Sequence, residues 1–517
     1  MKEKIGFWEA FSIGVGGMIG GGIFAVLGLS IQLSKGAAPL AFLLAGFIAL
    51  TTAYSYAKLS LRFPSEGGTI EYLVKAYGTG LLSGTLNVLL LASYIVMIAL
   101  YAYAFGSYGA NLLPIPNAKH IMISIVIIVF TMINALGAVV SGRTEDLLVA
   151  FKLAILFLVV GAGIMYLDLS RLSPSNWADP VSVVAGGMII FLAYEGFELI
   201  ANTAHDVENP SVLPKAFYSS VILVIAVYVL VAIVTVGTLP YDVIMKARDY
   251  ALAMAAEPSL GKAGFLLVTF AALASTSSAI NATLYGTARA SYMVAKYGQL
   301  PEAVEKPVWR QAYEGLLAIS ILALILANTV GLESISTAGS GGFLLIFLFV
   351  NFAALKLRRK IKANPIFPIF GVAFTLTALA ILVYRMAELN PSALMIFFVL
   401  LISSLTIEIL YRKITGRRIE TYLDRRLKRR EESIRSWREW IDEVAEEILR
   451  VLGEAEVYVI GGIARGDIES SHDVDVLVVA DRPVRDLKIK DVVHLHFVST
   501  DDAERVLRKV GKYIRIR

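Results

Sequence analysis

Residues 12–28 read SIGVGGMIGGGIFAVLG, seven glycines in seventeen positions of an apolar run. Each glycine inside a helix costs about 0.5–1 kcal/mol relative to alanine, so Gly20, Gly21 and Gly22 in succession predict a break rather than a continuous turn. Lipid tolerates unpaired backbone only where it is buried in protein or lines a cavity. The stretch therefore predicts a membrane helix that opens midway and presents N–H and C=O groups to a polar solute.

Around it, hydrophobic residues make up 57% of 517 positions and charged residues 17%, a balance that excludes an ordinary soluble domain. The start MKEKIGFWEA precedes no small-residue cleavage site, so the first span is expected to remain as structure. The absence of cysteine excludes disulfides, thiolate metal sites and cysteine nucleophiles. A hydrocarbon core of about 30 Å takes about 20 apolar residues. Twelve stretches qualify, near 7–33, 38–62, 81–110, 119–140, 145–168, 181–201, 215–239, 262–292, 314–330, 335–357, 366–387 and 391–411. On this register one set of loops gathers Lys58, Arg62, Lys75, Arg143, Lys215 and the cluster Lys356, Arg358, Arg359, Lys360 and Lys362, while the opposite set is poor in cations. The positive-inside rule then puts both termini in the cytosol, as an even span count requires.

The best pointer to a transporter's binding site is a pair of interrupted helices at matching positions of two inverted halves. Five spans after the first comes GGMIIFLAYEGFELIANTAHDVENP, with Gly196 between Glu195 and Phe197. Close helix packing is the alternative use of such glycines. Further marks are Pro64-Ser65-Glu66-Gly67-Gly68-Thr69 after the second span, Glu208-Asn209-Pro210 with Pro214-Lys215-Ala216 after the sixth, and Asn281 to Arg289 closing the eighth. With Ile19-Gly20-Gly21-Gly22-Ile23-Phe24 and Ala193-Tyr194-Glu195-Gly196-Phe197-Glu198, these make residues 1–411 resemble the amino acid, polyamine and organocation transporter superfamily. The resemblance implies a LeuT-like fold. The expected protein is an all-α polytopic membrane protein of twelve transmembrane helices: a five-plus-five inverted repeat with helices 1 and 6 broken, and two extra helices.

Freed N–H groups at Gly20, Gly21 and Gly22 begin the half-helix that continues through Phe24, where roughly half a positive charge gathers. A carboxylate is their natural ligand. Freed carbonyls around Gly16 to Ile19 and Phe191 to Tyr194 end the opposing half-helices and attract an ammonium group. A zwitterion fits both, and the resemblance implies the same arrangement. Phe191, Tyr194 and Phe197 are candidate gate and specificity residues, with packing or lipid contact as the alternative. Glu195 is a carboxylate at membrane depth, which is costly and rarely idle. It either favours a cationic substrate or, the preferred reading, hydrogen-bonds backbone freed by the break.

Lys152, in VAFKLAILFLVV, lies about 12 Å into the fifth span at 1.5 Å per residue. It either snorkels to the headgroups or stands where sodium-coupled relatives hold an ion between the first and eighth helices. The resemblance, through proton-coupled members with a lysine here, favours the second and makes Lys152 a candidate proton switch. Ser275, Thr276 and Ser278 are expected to face its ammonium or, failing that, to hold sodium.

After residue 411 the composition turns charged. Residues 412–453 read as a basic, amphipathic helical connector with Trp437, Trp440, Ile441, Val444 and Ile448 on one stripe. Residues 454–517 then read as a small cytosolic α/β domain. Within it, Gly461-Gly462 precedes Asp473 and Asp475, which fall on one side of a strand. Such a pair suits a divalent cation and nucleotide phosphates, and the stretch resembles minimal nucleotidyltransferase domains. It departs from them where a third carboxylate belongs, since DVVHLHFVSTDD offers His494 or His496. Catalysis is therefore not expected; regulation by a bound nucleotide and a purely structural tail are the readings left open.

The expected function is secondary, proton-coupled transport of an amino acid across the cytoplasmic membrane, needing no cofactor. Neutral amino acids rank first, cationic ones second and polyamines third, because the glycine amides want a carboxylate. Partners are the small-molecule substrate and the bilayer; no nucleic acid is expected. An amino acid sensor and a membrane-anchored nucleotidyltransferase are the alternatives.

Overall fold

The computed structural model describes residues 5–65, 67–136, 142–207, 209–296, 313–415, 434, 436–465, 474–481 and 493–517. The chain divides into two compact units, Met1–Arg417 and Arg418–Arg517.

In the first unit the glycine-rich run forms α1 (Phe7–Met18) and α2 (Gly22–Ser34), bent by 45° across residues 19–21. There follow α3 (Ala38–Arg62), the short α4 (Thr69–Tyr77), α5 (Leu81–Ala110), α6 (Ala118–Ala135) and α7 (Gly142–Gly163). The sixth span starts as α8 (Pro180–Phe191), tightens into a 3-10 turn at Leu192–Tyr194, opens at residues 195–198 and resumes as α9 (Leu199–Asn202). Then come α10 (Val212–Thr238), α11 (Tyr241–Lys246), α12 (Ala251–Lys296, interrupted at Gly261), α13 (Tyr313–Thr329), α14 (Leu332–Lys356), α15 (Ile366–Leu389) and α16 (Pro391–Thr415).

Among the described residues ten helical segments, the interrupted sixth span counted as one, are long and apolar enough to cross a membrane, or eleven with the bent α1–α2 pair. The remaining expected span, near 314–330, is α13, of which 17 residues are described, starting at Tyr313 directly after residues outside the description. The broken helices occupy the middle: α3 packs on α8 and α10, α5 on α12, and α7 on α1, α10 and α12. On α15 and α16 the exposed side chains include Phe370, Phe374, Ile402 and Leu405, an apolar surface of the kind lipid solvates.

In the second unit α17 (Trp437–Leu452) lies against a sheet of β1 (Glu456–Ile460), β2 (Val474–Val479), β3 (Val493–Val498) and β4 (Ile514–Arg515), with α18 (Gly461–Arg465) after β1 and α19 (Ala503–Val510) after β3. The spatial order is β3-β2-β1-β4, with β2 and β3 parallel and the other pairs antiparallel. Trp437, Trp440, Ile441, Val444 and Ile448 pack on Val457, Val459, Val474, Val476 and Val478. The helix expected as a connector up to residue 453 is thus one layer of the domain, because its apolar stripe needs the sheet to cover it.

Candidate functional site

The two breaks meet backbone to backbone. A Cβ on Gly17 would lie 2.8 Å from the Gly196 Cα, and one on Gly22 would lie 2.5 Å from the Ala193 Cα, so no larger residue fits either crossing without displacing main chain. Gly196 also has φ +119°, a conformation side chains rarely adopt. The close packing weighed for these glycines is present at the crossing, and it brings together the two segments that the breaks interrupt.

Four of the carbonyls at the breaks find donors on other helices. The buried Tyr228 hydroxyl, on α10, lies 2.7 Å from the Met18 carbonyl and 3.1 Å from the Ala193 carbonyl, so one donor serves both breaks. From α12, the Ser275 hydroxyl donates to the Ile19 carbonyl at 2.9 Å and to that of Gly20. Among the described residues the N–H groups of Gly20, Gly21 and Gly22 meet no acceptor.

Glu195 and Glu198, 1% and 2% exposed, both lie in the sixth-span opening. The Gly196 N–H donates to Glu198 Oε2 at 2.7 Å, whereas neither Glu195 oxygen has a hydrogen-bond partner among the described residues. The expectation that Glu195 serves the freed backbone is corrected: Glu198 does so, because two residues on from Gly196 its carboxylate turns back onto that N–H.

Beside the crossing is a cavity of about 370 Å³ lined by Gly16 and Gly17 of α1, Gly196, Glu198, Asn202 and Thr203 of the sixth span, Thr69 of α4, Tyr94 and Tyr101 of α5, and Asn281, Thr283 and Thr287 of α12. It lies on the amino-terminal side of the first break. Gly67 and Thr69 reach it because the Tyr56 hydroxyl pairs with Thr69 Oγ1 at 2.8 Å and Gly68, at φ +46°, sits against the Asn202 amide oxygen. Asn134, also in the lining, donates to Asn281 at 2.8 Å. On the far side the chain is drawn together: the Gly36 N–H donates to the Asn176 carbonyl at 3.0 Å, Lys119 pairs with Asp249 at 3.2 Å, and Arg248 with Glu333 at 3.6 Å.

Of the other residues singled out from the sequence, Ile19 is buried within the break. Phe191 packs on Phe347, Phe197 lies between Tyr56 and Phe347, and Tyr194 stacks edge-on to Tyr228 while donating to the Phe42 carbonyl at 3.0 Å. These three rings stand behind the crossing rather than in the cavity lining. Lys152 is buried on α7, the helix that packs on both α1 and α12. Thr276 back-bonds to the Ala272 carbonyl at 2.7 Å, and Ser278 is partly buried one turn beyond Ser275. Sequence reasoning does not single out Tyr228 and Glu198, which bond to the freed backbone; Glu198 carries the same membrane-depth signal as Glu195.

In the second unit Asp475 stands opposite His494 across the parallel β2–β3 pair. Asp475 Oδ1 is 3.2 Å from His496 Nε2 and 3.6 Å from His494 Nδ1. Gly461, at φ +76°, opens α18 against it: a Cβ there would lie 2.5 Å from Asp475 Oδ2. Gly462 follows in α18; Asp473 lies outside the described residues. Magnesium takes oxygen ligands in near-ideal octahedral geometry, and this described donor set, one carboxylate and two imidazoles, does not fit it.

Apolar spans enclosing two interrupted helices that cross beside a cavity define a membrane transporter. The chain belongs to the amino acid permease family, whose model matches residues 5–405. An uncharacterized protein of Methanocaldococcus jannaschii is 38% identical over 421 residues, 80% of this chain and 97% of the relative. The inner membrane transport protein YbaT of Escherichia coli is 32% identical over 417 residues, again 80% and 97%. The crystal structure of the Eremococcus coleocola manganese transporter, in complex with an aromatic bis-isothiourea substituted compound, shares the LeuT-like fold with a TM-score of 0.52 at 12% identity, covering 78% of this chain and 93% of that one. Residues 441–513 match the model of the nucleotidyltransferase domain.

Proposed function

We propose that this protein carries a neutral amino acid across the cytoplasmic membrane, coupled to protons, by alternating access around the crossing of its broken helices, with both termini cytosolic. The observation that carries the reading is the row of N–H groups at Gly20, Gly21 and Gly22, without acceptors among the described residues, at the start of α2. A helix start of this kind favours an anion, and the carbonyl-rich ends of α1 and α8 nearby favour the ammonium of the same zwitterion. On the proposed topology the cavity faces the cytosol, which makes this the inward-facing state. Lys152, buried on the helix that packs against α1 and α12, is the coupling residue. Uptake of labelled amino acids into proteoliposomes tests it: an inwardly directed proton gradient should drive uptake without sodium, and Lys152→Ala should abolish the pH dependence. Sodium-dependent uptake that ignores the gradient overturns the coupling, and binding without exchange of label makes the protein a sensor.

A cationic substrate is the second reading, favoured by Glu198 in the cavity lining and by the carboxylate of Glu195, which has no hydrogen-bond partner among the described residues. Competition of arginine or lysine against alanine for binding separates the two. The second unit is regulatory rather than catalytic in this proposal, sensing a nucleotide. Calorimetric titration of the full chain with ATP and CTP tests that role, and absence of heat with either removes it.

A further inference from the structure

Asp475, His494 and His496 form a donor cluster that an all-oxygen cation site does not explain. His494 and His496 are two apart on β3, so their side chains share one face of the strand. The register places Asp475 of β2 beside His494 on that face. One ligand atom from each of the three lies within 4.8 Å of the others. A tetrahedral ion with bonds of about 2.0–2.1 Å holds its ligand atoms about 3.3 Å apart. The 3.2 and 3.6 Å from Asp475 Oδ1 to the two ring nitrogens bracket that edge. Gly461 permits the arrangement, since a side chain there would push on Asp475 Oδ2. The side chains of Asp475, His494 and His496 are 33%, 68% and 42% exposed, so an ion has access from solvent.

A simple ion pair needs one histidine; two imidazoles converge on a single carboxylate oxygen here. Imidazole is a borderline donor that suits zinc, copper, nickel and iron and not magnesium or calcium. We propose that Asp475, His494 and His496 bind a zinc-class transition-metal ion, and that the second unit has exchanged a magnesium-type site for a nitrogen-rich one. Three protein ligands leave a fourth position open, the pattern of an exchangeable site rather than a closed structural one. The inference stands on this geometry and not on the nucleotide reading above.

The test uses the full chain in detergent, stripped with a chelator and dialysed against Zn²⁺, with bound metal counted by mass spectrometry. Wild type should retain about one ion per chain, undisplaced by millimolar Mg²⁺. His494→Ala/His496→Ala should lower retention at least tenfold, and His120→Ala/His205→Ala should leave it unchanged. His496→Gln, nearer in shape, guards against misfolding and should weaken retention in the same direction. Co²⁺ should give wild type, and not the double variant, the visible absorption of a tetrahedral site. No ion retained by wild type, equal retention by the double variant, or displacement by Mg²⁺ each overturns the proposal.

Discussion

The first-span break carries no polar side chain to answer its freed backbone, whereas the sixth-span break carries two buried carboxylates. The first relies on neighbours, with Ser275 and Tyr228 reaching its carbonyls from other helices, and its glycine N–H groups keep no acceptor among the described residues. The sixth answers itself through Glu198 on the Gly196 N–H. Two halves built on one plan thus differ: the first keeps bare donors, which the proposed function assigns to the solute, and the second brings carboxylates and a fixed turn.

The harshest way to break this comparison is to separate the crossing. Gly196→Val puts a branched side chain at φ +119° against the Gly17 main chain, and misplacing a site by about 1 Å costs roughly a hundredfold, so proteoliposome uptake should fall by at least that much. Tyr228→Phe removes the donor shared by the Met18 and Ala193 carbonyls; the loss should be about 1–3 kcal/mol, read as a lower melting temperature in detergent together with slower uptake. Glu198→Ala should cost about 1–2 kcal/mol by the same measure, and Glu198→Gln less, because the amide oxygen still accepts from Gly196. Glu195→Gln removes a buried carboxylate that holds no hydrogen bond among the described residues, so the melting temperature should hold or rise; a clear fall would mean that the two carboxylates share the capping role.

The smallest effect lies at the other end of the sixth span, where Asp179 caps α8. The Ser182 hydroxyl and then the Ser182 N–H, at 3.0 Å, donate to its carboxylate, with Arg385 at 3.2 Å, and together they hold its pKa below the ordinary value. A depressed folded value means the stabilisation is complete above about pH 3.9 and fades as pH falls below it towards the folded value. Below about pH 4 the wild-type melting temperature should therefore drop more steeply than that of Asp179→Ala.

The broken first span is legible because three consecutive glycines contradict a helix on local grounds alone, and Gly196 because the inverted-repeat symmetry says where to look. Tyr228 is not legible: in VILVIAVYVL it is one more large residue on an apolar helix, and only the fold aims its hydroxyl at two carbonyls. The choice between Glu195 and Glu198 also escapes sequence, because it turns on which side chain folds back onto a single N–H. His494 and His496 are readable as a departure from the carboxylate pattern. Their convergence on Asp475 depends on the β2–β3 register, which neither strand specifies by itself.

The contact of Gly17 with Gly196 has a consequence for reading the history of such proteins. Where both partners must lack a side chain, neither can change to compensate the other, so the pair has no correlated substitutions to leave behind. Methods that infer proximity from covariation would map the periphery of this transporter and stay silent at its pivot.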